Sequence, residues 1–246
     1  MKLKKIIKSI LFPLVTVCTL NLCSMSIYAD NNLEKSEKCD STKVVYLTFD
    51  DGPAGKVTNN ILDILKENSV HATFFLIGEQ IKGQEDLVKR IYNEGHSIGL
   101  HSMTHKKNSL YCSNDHFLQE MLEDQKLISS IVPIEPKILR FPFGCNNNSY
   151  RISQSMVDLL HENNLKIYDW NTDSGDGANP HLDPCRMIKN AKSSKDRVVL
   201  LMHCGYQSKN SIKALPGVIE YYKDSGYEFK TIDESTPEEF HIMKKK

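Results

Sequence analysis

Short apolar runs alternate with longer amphipathic ones along most of this 246-residue chain, and that alternation restricts the possible folds more than any other feature. VVYLTF (44–49) precedes NNILDILKEN (59–68), in which Ile61, Leu62 and Leu65 recur at helical spacing. HATFFLIG (71–78) precedes EDLVKRIYNEG (85–95), and SIGLHS (97–102) precedes NDHFLQEMLEDQKLISSIV (114–132). ILRF (138–141) leads to MVDLLHENN (156–164), KIYDW (166–170) to DPCRMIKNAK (183–192), and RVVLLMH (197–203) to KALPGVIEYYKDSG (213–226). YEFKTI (227–232) closes the series. Strand followed by helix, repeated, means parallel strands joined by helical crossovers. The strands are apolar without a gap, as strands buried on both faces are. An open doubly wound sheet and a barrel both satisfy the pattern. No GxGxxG or GxxxxGK[ST] loop follows any strand, which argues against dinucleotide and P-loop folds.

The ends of the chain are of a different kind. Lys2, Lys4, Lys5 and Lys8 precede the apolar run ILFPLVTVCTLNLC (10–23), and Ala29 stands before Asp30. This reads as a secretory signal peptide over 1–29, so the protein is expected to be secreted or held at the cell surface. An uncleaved membrane anchor is the alternative, although the apolar run is short for a span of about 20 residues. A polar linker is expected over 30–42, one α/β domain over 43–235 and a polar tail over 236–246. Lys+Arg and Asp+Glu number 31 each, and the leader holds lysines but no acid, so nucleic acid is not an expected partner. A monomer is expected. Beyond the leader lie Cys39, Cys112, Cys145, Cys185 and Cys204, an odd number at irregular spacing and no disulfide framework.

In parallel α/β folds the chemistry sits at the carboxyl ends of the strands. Here those ends carry Asp50 and Asp51, then His101 and His105 in HSMTH, then Arg140 in RFPFG. The fifth strand adds Asp169, Asp173 and Asp176, and the sixth adds His203. Two histidines four apart can present both imidazoles to a metal ion, and a nearby carboxylate completes a His₂-carboxylate site. Alone, HxxxH is a weak signal. Two adjacent aspartates can divide the work, one binding the metal and the other taking a proton from water.

TFDDGP, HSMTH, RFPFG, DWNTDSGD and LLMH, in that order from about Val44 to Ile232, resemble the five motifs of the NodB-like polysaccharide deacetylases. The resemblance implies a distorted parallel (β/α) barrel with about seven strands and a divalent metal, most often Zn2+. It implies removal of N- or O-acetyl groups from polysaccharide. Asp51, His101 and His105 would hold the metal, and Asp50 would be the general base, oriented by Arg140. His203 would be the general acid, supported by a fifth-motif carboxylate, for which Asp176 fits best and Asp173 second. Phe143 and Leu201 would contact substrate, with a backbone N–H near Phe143 completing an oxyanion hole.

The chain departs from the family where Gly177 replaces the usual Trp after the fifth-motif aspartate, which predicts a wider acetyl pocket. Trp170 is the one tryptophan, and it precedes that motif. Peptidoglycan N-acetylglucosamine is the expected substrate, with chitooligosaccharide or acetylxylan as alternatives. A non-catalytic carbohydrate binder would not need base, ligands, Arg and acid together, and a phosphoesterase would need further metal ligands and basic clamps. Cys145 and Cys204 each follow a rim motif directly, which makes them the one pair worth testing for a bridge.

Overall fold

In the computed structural model, residues 42–243 are described, so the expected leader and all but the last residue of the linker lie outside the described residues. The elements follow in the order β1 (Val44–Gly52), α1 (Gly55–Glu67), β2 (Thr73–Leu76), α2 (Gly78–Ile81), α3 (Glu85–Asn93), β3 (Ser97–Leu100), α4 (Lys107–Leu110) and α5 (Asn114–Ser129). Then come β4 (Ile138–Leu139), α6 (Gln154–Glu162), β5 (Lys166–Ile167), β6 (Thr172–Asp173), α7 (Pro184–Ala191), β7 (Arg197–His203), α8 (Lys209–Asp224) and β8 (Glu228–Lys230).

Every ladder is parallel, and the strands run β5-β4-β3-β2-β1-β7-β6. This path is the distorted barrel that the sequence predicts. β7 pairs with β1 from Val44 to Asp50. The other edge of β1 is shared, with β8 at Val44–Tyr46 and β2 from Thr48 upward.

The short helices α2 and α4 are additions to the sequence reading, and β6 and α8 differ from it as well. β6 is an additional strand, two residues long and polar, and only its pairing with Leu200 and Leu201 makes it one. Helix α8 begins at Lys209, not Lys213, which moves Pro216 from the first turn to well inside it. A proline is tolerated in a first turn but cannot donate to a preceding one, so no local signal would start the helix before Lys213.

Strand periodicity sorts the core. Tyr46, Phe75, Ile138, Tyr168, Val199 and Ile232 form one buried cluster from six different segments, the barrel interior. Their alternating neighbours, such as Val45, Phe74, Leu139, Val198 and Leu200, pack with the helices in the larger cluster outside. Two residues further along the interior face, β1 presents Thr48 and then Asp50, β4 leads to Arg140, and β7 presents Leu201 and then His203. A period of two thus turns an apolar floor into a polar rim.

No ladder joins the outermost strands β5 and β6 among the described residues. Beside β5 the C-terminal segment forms a parallel bridge, Tyr168 with Glu239. Asp169 N–H donates to Glu239 O at 2.7 Å, and the Glu239 carboxylate takes Arg197 Nη1–H at 2.7 Å and Asn171 Nδ2–H at 3.2 Å. Tyr168 Oη–H donates to Thr236 O at 2.8 Å. Residues 236–241, a polar tail by composition, are therefore a docked strap. No helix among the described residues is long and apolar enough to cross a membrane.

Candidate active site

The register of β1 with β7 sets Asp50 beside His203 at the carboxyl end of the sheet. Asp51 would face outward if the strand continued regularly. Instead its φ is +65°, and the ladder to β2 shifts register between Phe49 and Gly52. The break in the strand brings the second carboxylate to the same rim as the first.

Arg140 is wholly buried and crosses the barrel above the floor, its guanidinium 4.3 Å from the Phe75 ring centroid. It donates from Nη1 to Asp50 Oδ1 at 2.8 Å and to Thr48 Oγ1 at 2.7 Å. Nε donates to Tyr168 O at 2.7 Å and Nη2 to Asp169 O at 2.9 Å. A charge buried this deeply needs such a complete set of partners. Next to it Phe141 points the opposite way, stacked on Phe117 with centroids 4.2 Å apart. That alternation anchors the RFPFG turn on both sides of the chain.

Three Lewis-basic atoms converge beside Asp50. Asp51 Oδ1 lies 3.5 Å from His101 Nε2 and 3.3 Å from His105 Nε2. One ligand atom from each of the three residues falls within 4.8 Å of the others. His101 Nδ1 is 2.9 Å from Arg140 O, an acceptor only, so Nδ1 carries the proton and Nε2 faces the carboxylates. Asp51 Oδ1 is buried without a hydrogen-bond donor. Burial opposes its ionisation, but His101, His203 and His105 outweigh that and hold the carboxyl well below the usual range. Burial, with His101 adding to it, pushes His105 down to about 4, so its imidazole is neutral with a free lone pair. An ionised carboxylate, the neutral His105 imidazole and the Nε2 of His101 fit a divalent metal, and the orphaned oxygen is the atom such an ion would satisfy.

Across the site, His203 Nδ1–H donates to Asp176 Oδ1 at 2.8 Å. Asp176 Oδ2 accepts from the His203 N–H at 2.9 Å and from Ser211 Oγ–H at 2.6 Å. Burial by itself would lower the histidine pKa. The hydrogen bond and charge of Asp176, with Asp50 and Asp51 behind it, reverse this and raise it to about 9. His203 is thus an acid that keeps its proton at neutral pH. Gly177 lies flat against it: a Cβ there would stand 2.3 Å from His203 Cε1. An open cleft of about 490 Å3 runs over these groups, lined by Asp51, His105, Asp176, Gly177, His203 and Tyr206 among others.

The other predicted positions are less central. Phe143 is 48% exposed with φ +67°, its ring 4.6 Å from that of His105. Leu201 is buried on the interior face below His203. Neither lines the cleft. Asp173 does not reach His203; it accepts from Gly175 N–H at 2.7 Å in a local turn. Asp169 instead accepts from Cys145 N–H at 3.1 Å, and so anchors the turn after RFPFG. Trp170 packs against Gly144 and the interior cluster rather than beside Gly177. The cysteines bring a correction to the suggested pairing. Cys112, Cys145, Cys185 and Cys204 are all free: Cys145 sits by Asp169, and Cys204 Sγ lies 3.3 Å from Asp50 O.

Thr48, Ser211 and the carbonyls of Tyr168 and Asp169 are parts of the site that the sequence reading did not single out. They belong to no spaced pattern. Thr48 alone had a signal, a polar residue on the interior face two places before Asp50.

Known proteins resemble this chain in sequence and in fold. The sequence model of the family described as polysaccharide deacetylase matches residues 37–168. A peptidoglycan-N-acetylglucosamine deacetylase from Bacillus cereus is 38% identical over 200 residues, 79% of this chain and 71% of the relative. The crystal structure of a polysaccharide deacetylase from Bacillus cereus superposes with a TM-score of 0.71 at 38% identity, covering 80% of this chain and 97% of the other. The catalytic domain of a peptidoglycan N-acetylglucosamine deacetylase from Eubacterium rectale gives 0.73 at 30% identity, covering 83% and 94%.

Proposed function

This chain belongs to the polysaccharide deacetylase family and is a deacetylase enzyme, and from that premise we propose that it is a metal-dependent hydrolase acting on N-acetylated glycan outside the cell, peptidoglycan N-acetylglucosamine foremost. The observation that carries the reading is the meeting of three units at one rim. These are the Asp50–Arg140 pair, the Asp51–His101–His105 cluster and the His203–Asp176 pair. The wall substrate is favoured by the names of the relatives, and the extracellular location by the leader-like first 29 residues.

Asp51, His101 and His105 would hold a divalent ion, Zn2+ by the character of these ligands, which would supply polarisation of the acetyl carbonyl and of water. Asp50, held by Arg140, takes a proton from the water that attacks the acetyl carbon. A backbone N–H near Phe143 stabilises the developing oxyanion. His203 delivers its Nε2 proton to the departing nitrogen as the C–N bond breaks, leaving acetate and a free amine. Asp176 and Ser211 keep the imidazole turned so that Nδ1 is committed and Nε2 is the proton donor. Gly177 lets the His203 imidazole lie flat against the backbone, so the space that a side chain there would take is filled by His203 and not by a wider acyl pocket.

The test is acetate release from a panel of peptidoglycan, chitooligosaccharide and acetylxylan, with added zinc and with a chelator. Chelator-sensitive release, highest on peptidoglycan, is the expected result. Binding without release would make the protein a carbohydrate-binding relative, and release that a chelator leaves untouched would remove the metal from the reading.

A further inference from the structure

Helix α5 buries a stripe made of Phe117, Glu120, Met121, Asp124 and Ile128. Two acids on the inward face of an otherwise ordinary amphipathic helix are unusual, since a buried carboxylate is costly unless its oxygens are used. Asp124 is fully buried and Glu120 is 4% exposed. Both are turned toward one segment, the loop after β3 that carries His101 and His105. Asp124 Oδ2 shares the His101 N–H, at 3.2 Å, with Leu76 O at 2.9 Å, and Asp124 Oδ1 is buried without a partner. Glu120 Oε2 accepts from the Thr104 N–H at 2.8 Å, and Oε1 from Thr104 Oγ–H at 2.9 Å. His116, one turn before on α5, approaches Glu120 Oε1 at 3.7 Å while its Nε2 is engaged with Ser109 Oγ at 2.8 Å.

The loop needs such anchoring. Ser102 and His105 are both in the left-handed region, at φ +71° and +56°, which non-glycine residues occupy only where the surroundings hold them. Inside the loop, Ser102 Oγ accepts from the His105 N–H at 2.9 Å. That bond closes the turn on itself but ties it to nothing else. β2 and α2 hold the first half of the loop, through His101 N–H to Leu76 O at 2.9 Å, Gly78 N–H to Ser102 O at 3.1 Å and Glu79 N–H to Met103 O at 2.8 Å, and α5 adds one acid beside each histidine end.

We propose that Glu120 and Asp124 are positioning residues that set the His101–His105 loop in its metal-binding geometry before an ion arrives. The proposal rests on the reading of Asp51, His101 and His105 as metal ligands. Neither acid reaches the ligand atoms; Asp124 acts through the His101 N–H, and Glu120 through the Thr104 N–H and hydroxyl together. Partners of this outer kind typically change metal affinity about 10–100-fold when removed.

The experiment measures zinc affinity of the full chain by competition with a chromogenic chelator, alongside the melting temperature of the metal-free protein. Glu120→Ala and Asp124→Ala are expected to weaken zinc binding by about 10–100-fold. Asp124→Asn keeps an oxygen for the His101 N–H and is expected to bind like the native chain. Thr104→Val attacks the Glu120 contact from the loop side, leaves α5 intact, and is expected to weaken zinc binding as well. It decides the matter if an alanine variant does not fold. Native affinity in folded Glu120→Ala or in Thr104→Val overturns the proposal, as does a lowered melting temperature with affinity unchanged. Native protein that binds no zinc sinks the metal reading and this inference with it, whereas native binding with unaffected variants sinks this inference alone.

Discussion

Arg140 and Asp50 form a buried pair 2.8 Å apart, separated by 90 positions in the chain, in which every nitrogen of the guanidinium has a partner. Arg140→Leu fills similar volume but strands the Asp50 carboxylate. Breaking a buried pair by removing one partner costs about 3–5 kcal/mol. A drop of that size in urea-unfolding stability is expected, with Arg140→Lys recovering only part because an ammonium cannot serve Tyr168 O, Asp169 O and Asp50 at once. A Leu variant as stable as the native protein would contradict the pairing.

The two aspartates should separate metal binding from proton transfer. Asp51→Asn replaces a charged donor by a neutral amide and is expected to weaken metal affinity sharply, with activity partly restored at high metal concentration. Asp50→Asn should keep the metal and lose turnover by about 10²–10⁴-fold, without rescue. Metal content and rate on both variants decide the assignment, and the opposite pattern would exchange their roles.

The pH dependence follows from His203. Its pKa rises from 6.5 to about 9 on folding, so the protonated form is the one that the folded protein favours. The associated stability is fully present below pH 6.5 and is lost as pH climbs through about 9. Activity that needs the imidazolium should fall over the same upper limb. In Asp176→Asn the supporting charge is gone and burial prevails, so the alkaline limb of kcat/KM moves to lower pH. A limb that stays in place would show that another group sets it.

Gly177 predicts an outcome that is independent of the metal. A methyl group there would stand 2.3 Å from His203 Cε1, so Gly177→Ala must displace the imidazole. Misplacing a catalytic group by about 1 Å can cost 10²-fold in rate. The variant should lose turnover on that scale while zinc affinity stays native. Unchanged turnover would mean that His203 has room to move and still deliver its proton.

The C-terminal strap should matter to both stability and rate. Glu239→Ala removes the acceptor of Arg197 and Asn171 in a partly exposed setting, worth about 1 kcal/mol. Truncation after Asp233 also removes the backbone bridge at Tyr168 and the partner of its hydroxyl at Thr236. Because Tyr168 O and Asp169 O hold Arg140, the truncated protein should be slower as well as less stable. A loss confined to melting temperature would make the strap a seam and nothing more.

Much of this protein is written locally. Apolar runs and amphipathic stretches announce strands and helices because burial on two faces or on one stripe needs only neighbouring residues. Asp50, Asp51, His101, His105, Arg140 and His203 each stand at or just past a strand end, and parallel topology sends all strand ends to one rim, so the candidate site was legible before any coordinates. The preference for Asp176 over Asp173 comes from the resemblance to the family's fifth motif.

What the sequence could not carry is everything that depends on register and on contacts across the barrel. The positive φ that turns Asp51 toward Asp50 arises where two ladders cease to match. Ser211 reaches Asp176 only because α8 folds back over β7, and Gly177 matters only because His203 lies against it. Glu120 and Asp124 look like surface acids of an amphipathic helix until packing buries them under the histidine loop. The polar residues after Thr236 look like a tail until the gap beside β5 gives Glu239 a partner strand. In each case the side chain's meaning is set by a group far away in sequence. Hydrophobic periodicity records which face is buried, but a polar residue's partner is chosen only when the chain closes.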